Sequence, residues 1–319
     1  MRFESEALPL ANMEWSQDWA GQSGRSMPIS QSLRAVDDDR WLGSVVVQQI
    51  PDDTIALSNL CTELQLPDDE QHRIRVALLQ QSVIISEKAS PRYVRYLVSA
   101  KETQVLQALS AATFRSAGAV EEWTWSGEST TPDRLPPVGC VFYGIDAASI
   151  AEQSSSHFTS ISTPTTMESS AHQLAVPRSV LCNLLDECLQ HSNELPDLPL
   201  PSAHQLLRLW RLSRSPIQIV LAVQDNDPAG IMATNLIDEG SSGFAPELII
   251  EYIGVRFNSR RNGIAAALLS LLSCGICGSL PPRQLTAFAG TDNQAAAILY
   301  RQLGFSSTAS LAVWVAADR

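Results

Sequence analysis

The sequence predicts an α/β (α+β) protein in two parts, the second a domain of helices and strands in alternation. Three observations lead there. At 319 residues the chain is too long for one small core, and a norm of about 150 residues per domain gives roughly two. A Ser/Thr-rich stretch, 151–176, carries few large apolar residues and separates two patterned regions. After it, apolar periods alternate between helix-like and strand-like in the order ααββ-β-α-β-α-β. With 45% hydrophobic and 18% charged residues, the composition is globular and excludes disordered, collagen-like and coiled-coil classes.

Residues 1–40 mix Trp15 and Trp19 with Gly, Ser and Gln and the run Asp37 to Asp39, without a sustained period, and read as an irregular leader. Residues 41–150 read as an α/β accessory unit. Its expected elements are a strand at Ser44 to Ile50, a helix at Asp68 to Gln81, strands at Val83 to Ser86 and Tyr93 to Ser99, a helix at Lys101 to Ser116 and a strand at Val120 to Trp125. Residues 151–176 read as the linker, and 177–319 as the second domain.

In that second domain Val180, Leu181, Leu184, Leu185 and Cys188 recur at helical spacing over Arg178 to His191. A proline-rich turn leads into a helix from Ala203 to Leu212, which Pro216 ends. Strands at Ile217 to Val223 and Ala229 to Leu236 flank Gln224-Asp-Asn-Asp-Pro228, whose Asp and Asn residues suit the tight turn of a hairpin. A long strand, Glu247 to Val255, is followed by a helix from Asn262 to Cys274, a strand from Gln284 to Ala289, a helix from Asn293 to Leu303 and a closing strand from Thr308 to Val315.

The charge is unevenly divided. The total is −12, yet from Pro177 onward there are 10 basic and 12 acidic residues against 12 basic and 22 acidic before it. A nucleic-acid-binding role for the first half would work against a repulsive field, and none is expected. The longest apolar run, Ile264 to Ile276, is short of the ~20 residues needed to span a bilayer, so no membrane association is expected. The start is acidic within six residues and lacks the order of a secretory signal, and six cysteines are sparse for a disulfide framework. A cytoplasmic location is the expectation.

Chemistry is expected first where the long strand stops. The segment Arg260-Arg261-Asn262-Gly263-Ile264-Ala265 turns directly into an apolar helix. Such a turn leaves backbone N–H groups unpaired at the positive end of the helix dipole, which suits an anion. Gly263 permits close backbone approach, and Arg260 and Arg261 add charge. The second constellation follows the next strand: Asn293, Ala296 and Tyr300 share one helical face, with Gly304-Phe305 closing the helix.

With the Arg-x-x-Gly-x-Ala turn and the Asn-x-x-Ala-x-x-Leu-Tyr helix at this distance and strand order, residues 177–319 resemble the GNAT superfamily of acetyl-CoA-dependent N-acyltransferases. The resemblance implies the GNAT fold, a mixed, mostly antiparallel sheet flanked by helices, with acetyl-CoA as cosubstrate and transfer of an acetyl group to a primary amine. It implies that backbone amides from Arg261 to Ala265 hold the pyrophosphate with Arg260 alongside. It further implies that Ile253 and Val255 pair with the pantetheine arm, that Asn293 contacts the cofactor, and that Tyr300 protonates the departing thiolate. Glu251, with Glu247 on the same side of the strand, is the nearest carboxylate to serve as base; an ordered water chain is the alternative. The family often has Gly at the position of Ala265 and Pro at that of Phe257.

A small-molecule or peptide amine and a protein lysine all remain open as acceptor, which the resemblance seats between the helices around Leu185 to Leu212 and the closing strands. The rival class is a non-catalytic acyl-CoA-binding sensor or scaffold; transfer of a longer acyl group is a third reading. Cys274-Gly-Ile-Cys277 lacks a second pair or a nearby histidine and reads as structural thiols, and His72, His157, His172, His191 and His204 form no ligand spacing, so no metal is expected. In the first half, Arg115-Ser-Ala-Gly118 before Trp123 and Trp125 echoes Arg301 to Gly304. The echo permits a degenerate GNAT-like half in tandem, and an unrelated accessory domain stands beside it. Neither motif occurs before residue 177, so no productive acetyl-CoA binding is expected there.

Overall fold

Strands outnumber helices among the described residues, and many of them alternate buried and exposed positions. The computed structural model describes residues 2–7, 30–37, 40–50, 54–87, 93–127, 137–150, 155–161, 173–192, 201–213, 216–238, 246–273 and 281–316. The described residues fall into two units, one running to Val120 and including those from Ser310, the other spanning Glu121 to Ala309.

The first unit contains β1 (Arg2–Ala7), β2 (Ser30–Asp37), β3 (Arg40–Ile50), β4 (Thr54–Thr62), α1 (Asp68–Glu87), β5 (Tyr93–Ser99), α2 (Thr103–Ala111) and the first part of β6 (Phe114–Ser126). β1 to β4 are a run of antiparallel neighbours, and β4 pairs with β5 in parallel from Thr54↔Tyr93 to Leu57↔Tyr96, with α1 as the crossover. Leu78, Leu79 and Leu109 of its helices are fully buried against Val45, Ile55 and Val94 of its strands.

Three expectations for this half are corrected. Ser30–Asp37, read as leader, is a strand whose Leu33 and Ala35 are buried. Val83 to Ser86, read as a strand from its β-branched residues, is the last turn of α1, where Ser82 and Ser86 donate to the carbonyls of Leu78 and Ser82 at 2.7 and 2.6 Å. The helix expected to reach Ser116 stops at Ala111, because Thr113 adopts φ 68° and turns the chain into β6.

The second unit continues β6 and adds β7 (Cys140–Asp146), β8 (Ser155–Ile161), β9 (Gln173–Pro177), α3 (Arg178–Gln190), α4 (Ala203–Leu212), β10 (Ile217–Gln224), β11 (Asp227–Asp238), β12 (Glu247–Val255), α5 (Ile264–Ser273), β13 (Gln284–Gly290), α6 (Gln294–Gln302) and the start of β14 (Ser306–Ala316). Its strand order is β6-β13-β12-β11-β10-β7-β8-β9. The β10–β11 hairpin turns through Asp225 and Asn226 at φ 52° and 67°, the left-handed pair that a two-residue hairpin requires. The stretch read as linker holds β8 and β9, paired from Ser155↔Pro177 to Thr159↔Gln173. Its buried residues are Ser156 and Phe158 of β8 and Val176 of β9. α5 and α6 pack on one face of this sheet through Leu268, Leu269, Ala297 and Leu303, and α3 and α4 pack on another core through Leu181, Leu185, Leu207 and Trp210. Among the described residues no helix is long and apolar enough to cross a membrane, and no group of three or more His, Cys, Asp or Glu is arranged to hold a metal ion. The Cys274–Cys277 pair lies outside the described residues.

Candidate active site

The site begins where two parallel strands part. β12 pairs with β13 from Glu247↔Gln284 to Ile250↔Ala287 and no further, although β12 continues to Val255. On its other edge β12 keeps its partner β11, but the register slips between Ala233↔Tyr252 and Thr234↔Ile250, leaving Glu251 as the extra residue of a β-bulge. The bulge changes the phase of the strand. Leu248 and Ile250 pack into the core beneath α5 and α6, and so do Ile253 and Val255, while Tyr252 packs with the α3–α4 core.

Past the bulge the backbone direction is fixed by the Arg256 N–H, which donates to Ala229 O at 2.9 Å on the β11 side. Strand alternation then turns the N–H and C=O groups of Ile253 and Val255 away from β11, to the side that β13 has left. The Val255 carbonyl is taken by Arg260, and the Ile253 N–H and C=O with the Val255 N–H form the edge that an extended arm can join by hydrogen bonding.

A cavity of about 230 Å³ opens at this fork, lined by Ile249, Ile250, Glu251, Tyr252, Ile253, Phe288 and Tyr300. Glu251 and Tyr300, far apart in sequence, therefore share one space. Glu251 is exposed, and one carboxylate oxygen accepts from Asn235 Nδ2 at 2.9 Å, a diagonal cross-strand contact from β11. Glu247, the other candidate carboxylate, is held by Arg283 at 2.7 Å. Tyr300 is 2% exposed. Its ring is fixed between Trp123 and Phe305, with centroids 5.9 and 5.2 Å away, and Arg301 covers the Trp123 ring at 5.1 Å.

The turn after β12 runs through a short 3₁₀ segment, Phe257–Ser259, into α5. Arg261 and Gly263 both have positive φ, 65° and 80°. Ala267 N–H donates to Gly263 O at 2.9 Å, so the amides from Gly263 to Ala266 precede the first bond of the helix and lack an intrahelical acceptor. A Cβ added at Gly263 would meet nothing within 4 Å, so the space before the turn is open. Arg261 and Asn262 are exposed there, Ala265 is half-buried, and Ile264 turns its side chain into the core.

Arg260 is placed differently from the expectation. Its Nε donates to Val255 O at 3.1 Å, its terminal nitrogens lie 3.5 Å from His191 O at the end of α3, and its guanidinium lies over the Phe257 ring. It ties the end of β12 to α3 in place of lying free for an anion. Arg256 is likewise engaged, against Glu187 and Asp227. Asn293 is the N-cap of α6: its Oδ1 accepts the Ala296 N–H at 3.1 Å, which leaves the amide Nδ2 as its donor.

Phe288, Tyr252 and Asn235 escape sequence reasoning. Phe288 carries a legible signal, a large aromatic at an outward position of a strand that leads into the tyrosine helix. Asn235 carries none, because its contact with Glu251 depends on the slipped register.

In the equivalent place of the first unit the fork is closed. β4 also bulges, with Asn59 at φ 52°, and also parts from β5 after Leu57↔Tyr96. There the Tyr96 hydroxyl accepts the Leu60 amide at 3.1 Å, and the helix that follows opens with Asp68, Asp69 and Glu70. Three carboxylates at a helix N-terminus repel an anion.

Comparison with known proteins agrees with this layout. Residues 180–305 match the model of the acetyltransferase (GNAT) family. No curated protein matches the chain in sequence. Among solved structures, a tandem GNAT protein from the clavulanic acid biosynthesis pathway has a TM-score of 0.55 at 12% identity, covering 93% of this chain and 86% of that one. A GCN5-related N-acetyltransferase from Sphaerobacter thermophilus has a TM-score of 0.56 at 14% identity, covering 93% and 82%. One from Kribbella flavida has a TM-score of 0.50 at 11% identity, covering 90% of each chain. At these identities the likeness is one of fold, and it extends over both units.

Proposed function

We propose that this protein, whose residues 180–305 form a domain of the acetyltransferase (GNAT) family, transfers an acetyl group from acetyl-CoA to a primary amine by direct attack. The observation that carries the reading is the fork itself: an open strand edge at Ile253 and Val255, a carboxylate and a phenol in one cavity, and a glycine turn at the adjoining helix start.

In this reading the amides from Arg261 to Ala265 receive the pyrophosphate, where the helix dipole favours negative charge. The pantetheine arm lies along β12, and the amide of Ile253 polarises the thioester carbonyl. Glu251 takes a proton from the ammonium form of the acceptor. The freed nitrogen lone pair then forms the C–N bond at the thioester carbon, the C–S bond breaks as Tyr300 gives its proton to the thiolate, and the second N–H proton of the cationic adduct returns to the Tyr300 phenolate. The products are the N-acetyl amine and free coenzyme A, with the first proton left on Glu251 for release to solvent, so atoms and charge balance.

Thermal unfolding with acetyl-CoA tests binding, because a ligand of the native state raises the midpoint. Tyr300→Phe tests chemistry. The expected result is retained acetyl-CoA stabilisation with kcat lower by about 10²–10⁴. A wild-type chain stabilised by acetyl-CoA that acetylates no amine in a broad panel would establish the sensor reading instead.

A further inference from the structure

We infer that the acceptor is a small monoamine carried on an apolar body and lacking a carboxylate, a selectivity set by Glu251, Phe288 and Ile249; this rests on the acetyl-transfer reading above. Among the described residues that line the cavity, Glu251 is the single charged group, four of the remaining six are Ile or Phe, and the other two are tyrosines with largely hydrocarbon rings. One carboxylate pairs one ammonium. A second ammonium, as in a polyamine, would face Ile249 and Phe288, where burial of an unpaired charge is costly. An α-carboxylate beside the amine would meet Glu251, with no Arg or Lys among the described lining residues to receive it.

Phe288 supports the apolar body. It is 38% exposed at the cavity, a large aromatic whose position on β13 places it opposite the bulged strand. An apolar substituent next to the amine would cover that surface, at a gain of about 25 cal/mol per Å² removed from water. Asn235 holds the Glu251 carboxylate from the β11 side and so fixes where the ammonium sits. Size limits the acceptor as well. The cavity of about 230 Å³ is below the roughly 300–1,000 Å³ of pockets that enclose drug-sized ligands, and it must also hold the acetyl end of the thioester.

The test uses the full chain with acetyl-CoA and four probes: phenethylamine, hexylamine, spermidine and phenylalanine. Thiol release and product mass are read together. The expected kcat/KM for the two monoamines exceeds that for spermidine and phenylalanine by about tenfold or more. Phe288→Asp, which adds a second carboxylate, is expected to move the preference towards spermidine, and Phe288→Leu to keep the wild-type order. Acetylation of spermidine or phenylalanine as fast as phenethylamine would overturn the inference and leave the transfer reading standing. Absence of turnover with both monoamines, while a broad panel of other amines is acetylated, would overturn the inference alone, and absence across the whole panel while acetyl-CoA still stabilises the chain would overturn both.

Discussion

Replacing Gly263 by alanine separates two consequences of one turn. The backbone there has φ 80°, a conformation that costs an L-residue roughly 1–2 kcal/mol. The added Cβ meets no protein atom within 4 Å, so packing contributes nothing to the cost. For a unit of this size each kcal/mol corresponds to about 2–4 °C, so the unliganded midpoint should fall by about 2–8 °C. Gly304, φ 83° at the end of α6, provides the control: Gly304→Ala should cost about the same. The variants differ in ligand response. At acetyl-CoA one hundred times the wild-type Kd, the wild type and Gly304→Ala gain about 2.7 kcal/mol of stability. In Gly263→Ala the methyl group occupies the space into which the amides open. A hundredfold weaker affinity would leave about 0.4 kcal/mol at the same concentration. Differential scanning fluorimetry across an acetyl-CoA titration measures both quantities. Equal ligand shifts in the two variants would refute the assignment of the pyrophosphate to this turn.

Further predictions concern the surrounding elements. Asn293→Ala removes the α6 cap and should destabilise by about 1 kcal/mol, read as a fall of about 2–4 °C in Tm, whereas Asn293→Ser should recover most of it. Asn235→Ala removes the cross-strand donor that holds the Glu251 carboxylate; it should raise KM for the amine several-fold and leave acetyl-CoA stabilisation unchanged, as measured by steady-state kinetics beside thermal shift. Burial pushes the Cys188 thiol from 9.0 up to about 11, and burial with Asp225 nearby does the same for Cys140. Between those values the folded chain holds protons that the unfolded chain has released. Their contribution to stability is therefore complete below pH about 9 and is lost as pH rises towards 11, which urea unfolding at a series of pH values will show. At pH 8, alkylation mapped by mass spectrometry should modify exposed Cys61 well before Cys188.

The second half of the fold is legible because its elements carry strong local signals. Glu247–Val255 and Ala203–Leu212 fall where period and proline predict, and Asp225-Asn226 announces its hairpin. Elements held by weak local signals are not. Ser155–Ile161 is a strand because Ser156 and Phe158 find cover in the α3–α4 core, and a Ser/Thr-rich sequence does not advertise that cover. Val83 to Ser86 is helical because Ser82 and Ser86 continue the buried stripe of α1 while their hydroxyls return to the backbone, which overrides the strand preference of Val and Ile.

By itself the sequence determined the turn and its glycine and the tyrosine helix, because each is a local matter of backbone freedom, spacing and helix geometry, whereas the capping role of Asn293 came from the structure. The tertiary structure alone decided how they are used. A single slipped residue in β12 changes the phase of the strand and brings Glu251 beside Asn235, and the parting of β12 from β13 leaves an edge free. It also decided that Arg260 ties β12 to α3 and that Phe288 faces the cavity. Register and strand separation arise from pairings between residues distant in the chain, and one-residue shifts in them leave the local pattern of apolar and polar residues unaltered.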